Sequence, residues 1–182
     1  RDRFAAPSAE HFFGTDEYGR DIFSRVIYGC RTSMEIGLIS VAISCIIGVV
    51  IGAIAGFYGG ITDNLFMRFI DVLMAIPNTL LGISIVAALG NSIPNLIIAL
   101  SIGSIAGYAR VVRTKGTEYV EAAYATGASD FRIIFKYILP NCLAPIIVQA
   151  TMSVATTIMA ATGLSFLGLG VPAPTPEWGA MA

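Results

Sequence analysis

One segment that mixes charged and aromatic side chains, residues 118–140, separates two strongly apolar runs. The segment reads EYVEAAYATGASDFRIIFKYILP. Gly127, near its middle, is costly inside a helix but favourable in a left-handed turn. We therefore predict a helix, a glycine turn and a second helix. This shape and this mixture of side chains suit non-covalent docking into a groove on a partner protein.

Capping residues predict where these two helices begin. Thr117 is positioned to cap the first helix, and Glu121 lies near the positive end of its dipole. Ser129 is positioned to cap the second, with Asp130 in its first turn. Pro140 then marks the start of the next apolar run.

The spacing of small residues in this segment resembles the EAA loop of ABC-importer permeases, whose usual form is EAA-x3-G-x9-I-x-LP. Glu121, Ala122 and Ala123 are followed after three residues by Gly127, and after nine more by YILP at 137–140. A tyrosine replaces the usual isoleucine, which is a mild departure. The resemblance implies a contact with partner ATPases, whereas the alternative is an amphipathic re-entry helix without a partner. The predicted ATPase-coupling residues are Glu121, Ala122, Ala123, Gly127 and Phe131.

A second motif, GTDxxGRDxxSRxxYGxRxS, precedes the first long apolar run. It resembles the segment before the permease core in DppC/OppC-type subunits of the dipeptide/oligopeptide/nickel importer family. Without the resemblance, the segment predicts an interfacial amphipathic helix capped by Thr15 or Asp16. His11 is then interpreted as a surface residue and not as a ligand. The matching positions are Gly14, Thr15, Asp16, Gly19, Arg20, Asp21, Ser24, Arg25, Tyr28, Gly29, Arg31 and Ser33.

The composition is that of a membrane protein. The chain has 182 residues, of which 55% are hydrophobic and 13% charged, whereas roughly 25% of an average soluble domain is charged. Its net charge of -1 offers no argument for a nucleic-acid partner. Its three cysteines are scattered and show neither a disulfide framework nor metal-ligand spacing. We predict an all-α, polytopic transmembrane helix bundle.

Several apolar runs approach the roughly 20 residues needed to cross a bilayer. The positive-inside rule is nearly silent, because lysines and arginines are similarly frequent on both faces. The resemblance therefore places the coupling loop in the cytoplasm. With no starting Met and no signal-peptide pattern, the chain is expected to be a fragment lacking the first and last spans of an ABC type I importer permease core. Three parts are predicted: an extracytoplasmic segment with the interfacial helix (1–33), a permease core (34–167) and an extracytoplasmic loop (168–182). Within the core, the predicted coupling loop is 113–140, and the predicted spans are 34–57, 69–89, 96–112 and 142–167.

Glycine spacing predicts where helices pack closely. Gly48, Gly52 and Gly56 recur every four residues on one stripe, and Gly103 and Gly107 form a second pair. In lipid, small residues of this kind allow close helix–helix approach. Both sets are predicted helix-packing residues.

Polar and helix-breaking residues inside the spans leave several roles open. Pro77 is expected to kink its helix, either to shape a pathway or to fit a neighbour. Asp71 is expected to reach the interface or to pair with Arg68. A stripe of hydroxyls either bonds to helices or lines a pathway for a polar solute. The stripe comprises Ser153, Thr156, Thr157, Thr162 and Ser165.

The sequence contains no motif for chemistry of its own. It has no GxxxxGK[ST] loop, no HExxH, no GxSxG and no Cys/His cluster, so no catalytic, cofactor or metal site is predicted. The resemblance, over residues 11–182, implies a non-enzymatic permease subunit that moves di- or oligopeptides across the inner membrane of a prokaryote. The implied partners are a second homologous permease, two cytoplasmic ATPase subunits that bind the ATP, an extracytoplasmic solute-binding protein and membrane lipid.

Other functions are also considered. Within the importer class, the solute could instead be a nickel chelate or another small molecule such as an amino acid. A self-contained channel or secondary transporter predicts charged or unwound sites at mid-membrane, of which the spans offer almost none. An intramembrane enzyme needs paired polar catalytic groups deep in the helices, and none is visible.

Overall fold

The computed structural model describes residues 3–125, 127–172 and 174–181, without the side chains of 114–119, 121–122 and 124–125. This part of the chain is helical and contains no strand, only an isolated bridge between Thr15 and Asp21. The all-α prediction is confirmed. The elements are α1 (Ile22–Tyr58), α2 (Gly60–Ala75), α3 (Asn78–Leu89), α4 (Ile93–Ala125), α5 (Asp130–Arg132), a π-helical segment (Ile133–Ile138), α6 (Leu139–Phe166) and α7 (Trp178–Met181).

Three helical stretches within the described residues are long and apolar enough to cross a membrane. They are Ile22–Tyr58, Ile93–Arg113 and Asp130–Phe166. α2 and α3 together pass the same test, although they are bent by 88° at the break between them. Counting that pair as one broken span gives four, the number expected from the sequence.

α1 begins earlier than the sequence predicts. The interfacial helix placed within 1–33 and the span placed at 34–57 form one helix of 37 residues. Asp21 caps it in place of Thr15 or Asp16, because its Oδ2 accepts a hydrogen bond from the Ser24 amide at 2.8 Å. No proline interrupts the chain from 22 to 58, so the helix continues.

The turn predicted at 58–68 is much shorter. Gly59 and Gly60, with φ of 58° and 50°, complete it, and α2 starts at once. Positive φ is accessible to glycine at little cost, which explains why two residues suffice.

The span predicted at 69–89 is broken at Ile76 and Pro77. Proline disfavours the helical conformation of the residue before it, and Ile76 is extended, with φ −93° and ψ 126°. The expected kink is therefore a full break, from which α3 starts in a new direction.

α4 is continuous through Thr117, so the separate helix predicted to start there does not exist. The span predicted at 96–112 and the first half of the coupling segment form one 33-residue helix. The chain reverses around Gly127, and the rod Asp130–Phe166 follows. Ser129 occupies the cap position of this rod, but its side chain makes no capping hydrogen bond.

The rod also continues through Pro140, where the sequence predicts the start of a new span. The π-helical segment ends directly before it, and the Leu139 amide bonds to the Ile134 carbonyl, five residues back. The wider π-helical turn directly before Pro140 changes the hydrogen-bond register there, which accommodates a residue without an amide hydrogen inside a continuous rod.

Two apolar clusters hold the two ends of the bundle. We call the end that carries the N-terminal segment and the tail the outer end, and the end that carries the turn at Gly127 the inner end. At the outer end, Ile36 of α1 packs with Leu96 of α4 and Leu164 of α6. The N-terminal segment and the tail lie at this end, because the Trp178 indole donates to the Val26 carbonyl at 3.0 Å. At the inner end, Phe57 packs among side chains of α4 and of the rod.

Candidate functional site

The inner end carries the helix–turn–helix that the sequence singles out. Val120 and Ala123 of α4 and Ile133 of the π-helical segment are buried in one cluster with Phe57 of α1. Ala123, a predicted coupling residue, is only 2% exposed and packs inside this root of the turn. The side chains of Glu121 and Ala122 lie outside the described residues.

The tip of the turn is exposed. Gly127 has φ of +69°, and a Cβ added there meets nothing within 4 Å, so only backbone conformation restricts this position. Phe131 is 72% exposed and lies against the Phe135 ring, with 4.3 Å between the ring centroids. We refer to Gly127, Phe131 and Phe135 as the aromatic tip.

The first glycine stripe lies directly against α4. A Cβ on Gly48 would lie 2.6 Å from the Tyr108 Cβ, and one on Gly56 would lie 3.0 Å from the Arg113 carbonyl oxygen. A Cβ on Gly52 would collide with the backbone of Ala109. Larger side chains would therefore push α1 and α4 apart.

Two ion pairs tie α2 to α4. The Arg113 guanidinium donates to both Asp63 oxygens, with Nε–Oδ1 at 2.9 Å and Nη2–Oδ2 at 2.6 Å. Asp71 pairs with Arg110, so of the two alternatives that the sequence left open, contact with the interface or a pair with Arg68, the second is wrong. The pairs attach α2 to the helix that continues to the aromatic tip.

A cavity opens beside the break at Pro77, between α3, α4 and α6; its lining is mixed, and we call it the polar cavity after the polar residues named below. It consists of two adjoining parts of about 270 Å³ and about 390 Å³ that share several lining residues. None of its lining residues is charged. Its polar lining residues are Asn78, Thr79, Ser104, Gln149, Ser153, Thr156 and Thr157.

Gly103 and Gly107 form the floor of this cavity. A Cβ on Gly103 would lie 3.4 Å from the Asn78 side chain, and one on Gly107 would lie 3.4 Å from Gln149 Nε2. These are ordinary van der Waals distances to side chains, not close approaches to a helix backbone. This pair therefore leaves room for two amide side chains.

The hydroxyl stripe of α6 divides between the two roles left open by the sequence. Ser153, Thr156 and Thr157 line the cavity. The Thr162 hydroxyl instead donates to the Ile158 carbonyl of its own helix at 3.0 Å. The hydroxyl oxygen of Ser165 is buried without a hydrogen-bond partner in the described chain.

The sequence analysis missed the two amide residues of the cavity. One signal was available for each: Asn78 directly follows the helix-breaking proline, and Gln149 is the only glutamine of the chain. Neither signal predicts that the two side chains face the same space.

At the outer end, Asp16 organises the N-terminal segment. Its Oδ1 accepts from the amides of Tyr18 and Arg20 at 2.8 and 2.9 Å, and its Oδ2 lies 2.7 Å from Arg20 Nε and 3.3 Å from Arg25 Nη1. Burial raises the pKa of Asp16, but these hydrogen bonds outweigh it and hold the pKa below its ordinary value. Hydrogen bonds from Ser24 chiefly hold the pKa of Asp21 below its ordinary value as well.

A buried carboxylate, Glu177, joins the C-terminal tail to α1. It is 0% exposed, and its Oε1 accepts from the Gly179 amide at 2.9 Å and from the Ser33 hydroxyl at 3.4 Å. Its Oε2 accepts from the Ala180 amide at 2.9 Å. Glu177 thus caps α7 and fixes it to α1, a role that the sequence analysis missed.

Known proteins similar to this chain are components of transport systems. Residues 48–182 match the family described as binding-protein-dependent transport system inner membrane component. The chain is 50% identical, over 98% of its length, to the dipeptide transport system permease protein DppC of Alkalihalophilus pseudofirmus. It is 44% identical, over 96% of its length, to the glutathione transport system permease protein GsiD of Pectobacterium atrosepticum. It covers 60% of each of these two proteins, so it spans only part of the relatives that it matches.

Solved structures share the fold. A chain of the inward-facing MetNI methionine ABC transporter matches with a TM-score of 0.71, covering 82% of this chain and 77% of that one at 20% identity. A second crystal form of that transporter matches with a TM-score of 0.67 at 18% identity, covering 88% of each chain. At such identities the likeness concerns the fold alone.

Proposed function

This chain belongs to the family of binding-protein-dependent transport system inner membrane components, and we propose on that premise that it is the permease subunit of an ATP-driven peptide importer. Relatives named for dipeptide and glutathione transport support peptides as the solute class. ATP is bound and hydrolysed by two partner subunits in the cytoplasm. An extracytoplasmic protein delivers the solute.

The observation that carries the proposal is an exposed aromatic tip on a buried root. Phe131 and Phe135 present apolar rings to water, and burying such rings in a partner is strongly favourable. The root attaches this tip to two long helices, α4 and the rod Asp130–Phe166. A displacement of the tip therefore moves both membrane segments together.

In this mechanism, closure of the ATPase subunits moves the tips of two permeases and switches the bundle between inward- and outward-open states. A coupling free energy of about 1–3 kcal/mol is enough to shift such populations usefully. Only 22% of the most apolar stretch of the rod is buried in the described chain. Its remaining surface is available for a second homologous permease and for lipid.

The first test removes one ring of the tip. Phe131→Ala should lower recovery of the ATPase subunit in pull-downs about tenfold, as is typical of an aromatic anchor. It should leave the folding of the permease unchanged, because the ring is exposed. Phe166→Ala is the matched control, since Phe166 is 76% exposed at the opposite end of the same rod. Equal ATPase recovery from both variants would contradict docking at the tip.

The second test changes the backbone of the tip. Gly127→Val places a β-branched residue in the left-handed region, which costs about 1–2 kcal/mol and distorts the turn, whereas Gly127→Asn is tolerated there. We expect Val, but not Asn, to uncouple ATP hydrolysis from peptide uptake in reconstituted vesicles. Normal uptake by the Val variant would show that the geometry of this turn does not transmit the coupling.

A further inference from the structure

We propose that the polar cavity beside Pro77 is a binding site for peptide bonds, in which Asn78 and Gln149 contact the backbone of the passing solute. This inference rests on the proposed function and specifies its solute contact. The family likeness of the chain does not assign these residues. The proposal depends on their geometry.

The two amide side chains come from different helices and line the same part of the cavity, Asn78 beside Gly103 and Gln149 beside Gly107. Asn78 is the first residue of α3, after the break, and Gln149 lies in the middle of α6. Gly103 and Gly107, one turn apart on α4, separate them without filling the space. A side chain at either glycine would occupy the volume between the amides.

The amides have hydrogen-bonding capacity to spare. In the described part of the chain, the Asn78 side chain makes no hydrogen bond, and Gln149 makes one long contact, from Nε2 to Ser153 Oγ at 3.5 Å. A carboxamide offers both a donor and an acceptor. The N–H and the C=O of one trans peptide bond point in opposite directions, so each carboxamide can accept from the N–H of one peptide bond and donate to the C=O of the next.

The absence of charge along the lining decides which solutes this chemistry favours. No acidic or basic side chain lines either part of the cavity. Contacts to the solute are therefore directed at its neutral backbone and not at the charge of its side chains. The part that both amides line has a volume of about 390 Å³, within the range of small-ligand pockets, and the adjoining part has about 270 Å³.

The test uses the complete importer, reconstituted in vesicles with its ATPase subunits and solute-binding protein, and tritiated trialanine as the probe. The double variant Asn78→Leu, Gln149→Leu keeps the approximate volumes but removes the amides. We expect peptide uptake to fall about tenfold, as is typical when hydrogen-bonding groups of a specific site are removed. ATP hydrolysis stimulated by the loaded binding protein should stay unchanged, because the aromatic tip is intact.

Matched controls lie on the same helices but outside the cavity. Ser84→Ala on α3 and Thr151→Val on α6 remove exposed hydroxyls that bond only to their own helix. Both should import trialanine at the wild-type rate. Wild-type uptake by the double leucine variant would overturn the site. A wild-type importer that moves no peptide would instead contradict the proposed function.

A second variant separates solute contact from a structural role. Gln149→Glu introduces a charge into the lining and should raise uptake of a lysine-containing tripeptide over a glutamate-containing one by roughly fivefold. Binding of both peptides to the solute-binding protein is measured separately, and each uptake rate is divided by the fraction of that protein that is loaded. An unchanged uptake ratio would mean that Gln149 does not face the solute, as would be the case if lipid or a second permease fills the cavity.

Discussion

Both ends of the bundle contain an apolar cluster, but the outer end also contains carboxylates that each accept several hydrogen bonds. At the outer end, the carboxylates of Asp16 and Glu177 each accept several hydrogen bonds at defined distances. At the inner end, Phe57, Val120 and Ile133 pack together in one apolar cluster. Hydrogen bonds fix direction, whereas the hydrophobic effect is non-directional.

This difference suits the two ends to different tasks. A polar network loses much of its stabilisation when one partner moves, because a buried group is then left unsatisfied. An apolar root can shift by small amounts while its surface remains buried. We therefore expect the contacts of Glu177 to be the stiffer ones, and the apolar root to be the region that shifts with the smaller loss of stabilisation.

The largest effect is expected where the inner half has no space. Gly52→Leu drives a side chain into the backbone of α4 and should lower the free energy of unfolding by about 3 kcal/mol. Gly163→Ala is the control, because a Cβ there meets nothing within 4 Å. Unfolding in detergent micelles measures both. Equal free energies of unfolding for the two variants would contradict the close contact between α1 and α4 at Gly52.

The next effect concerns the outer end. Glu177→Ala leaves the Gly179 and Ala180 amides without their acceptor and should cost about 2 kcal/mol. Glu177→Gln retains an acceptor and should cost less. Trp178 is the only tryptophan of the chain, so its fluorescence reports this end directly. We expect a red-shifted emission in the Ala variant. An unshifted spectrum would contradict the inference that the hydrogen bonds of Glu177 hold α7 in place.

The smallest effect is the pH dependence of the N-terminal segment. Because the folded pKa of Asp16 lies below its unfolded value of 3.8, its stabilisation is present above that value and is lost as the pH falls through the folded pKa. Hydrogen exchange of the Tyr18 and Arg20 amides, corrected for intrinsic rates, should therefore stay constant above pH 3.8 and accelerate as the pH falls below it. In Asp16→Asn this pH-dependent acceleration, which appears as a step in the exchange rate, should disappear. A step that persists in this variant would assign the effect to another group, such as Asp21.

Local information was sufficient for much of this molecule. The length of the apolar runs predicts membrane-spanning helices, and the spacing around Gly127 predicts the reversal, because positive φ is a property of the residue itself. Element boundaries were less predictable. The two predicted helices at 1–33 and 34–57 are one because no residue between them disfavours helix, and the absence of a break is a weak signal.

Only the tertiary structure decided which distant residues face one another. Asp71 pairs with Arg110, 39 positions away, and Glu177 bonds to Ser33, 144 positions away. The cavity likewise depends on the 88° change of direction at Pro77, which brings Asn78 over a glycine floor opposite Gln149. Hydropathy, capping and backbone preference act within a few residues and are readable from the chain. Contacts between helices depend on how those helices pack, and that is determined only when the whole bundle has formed.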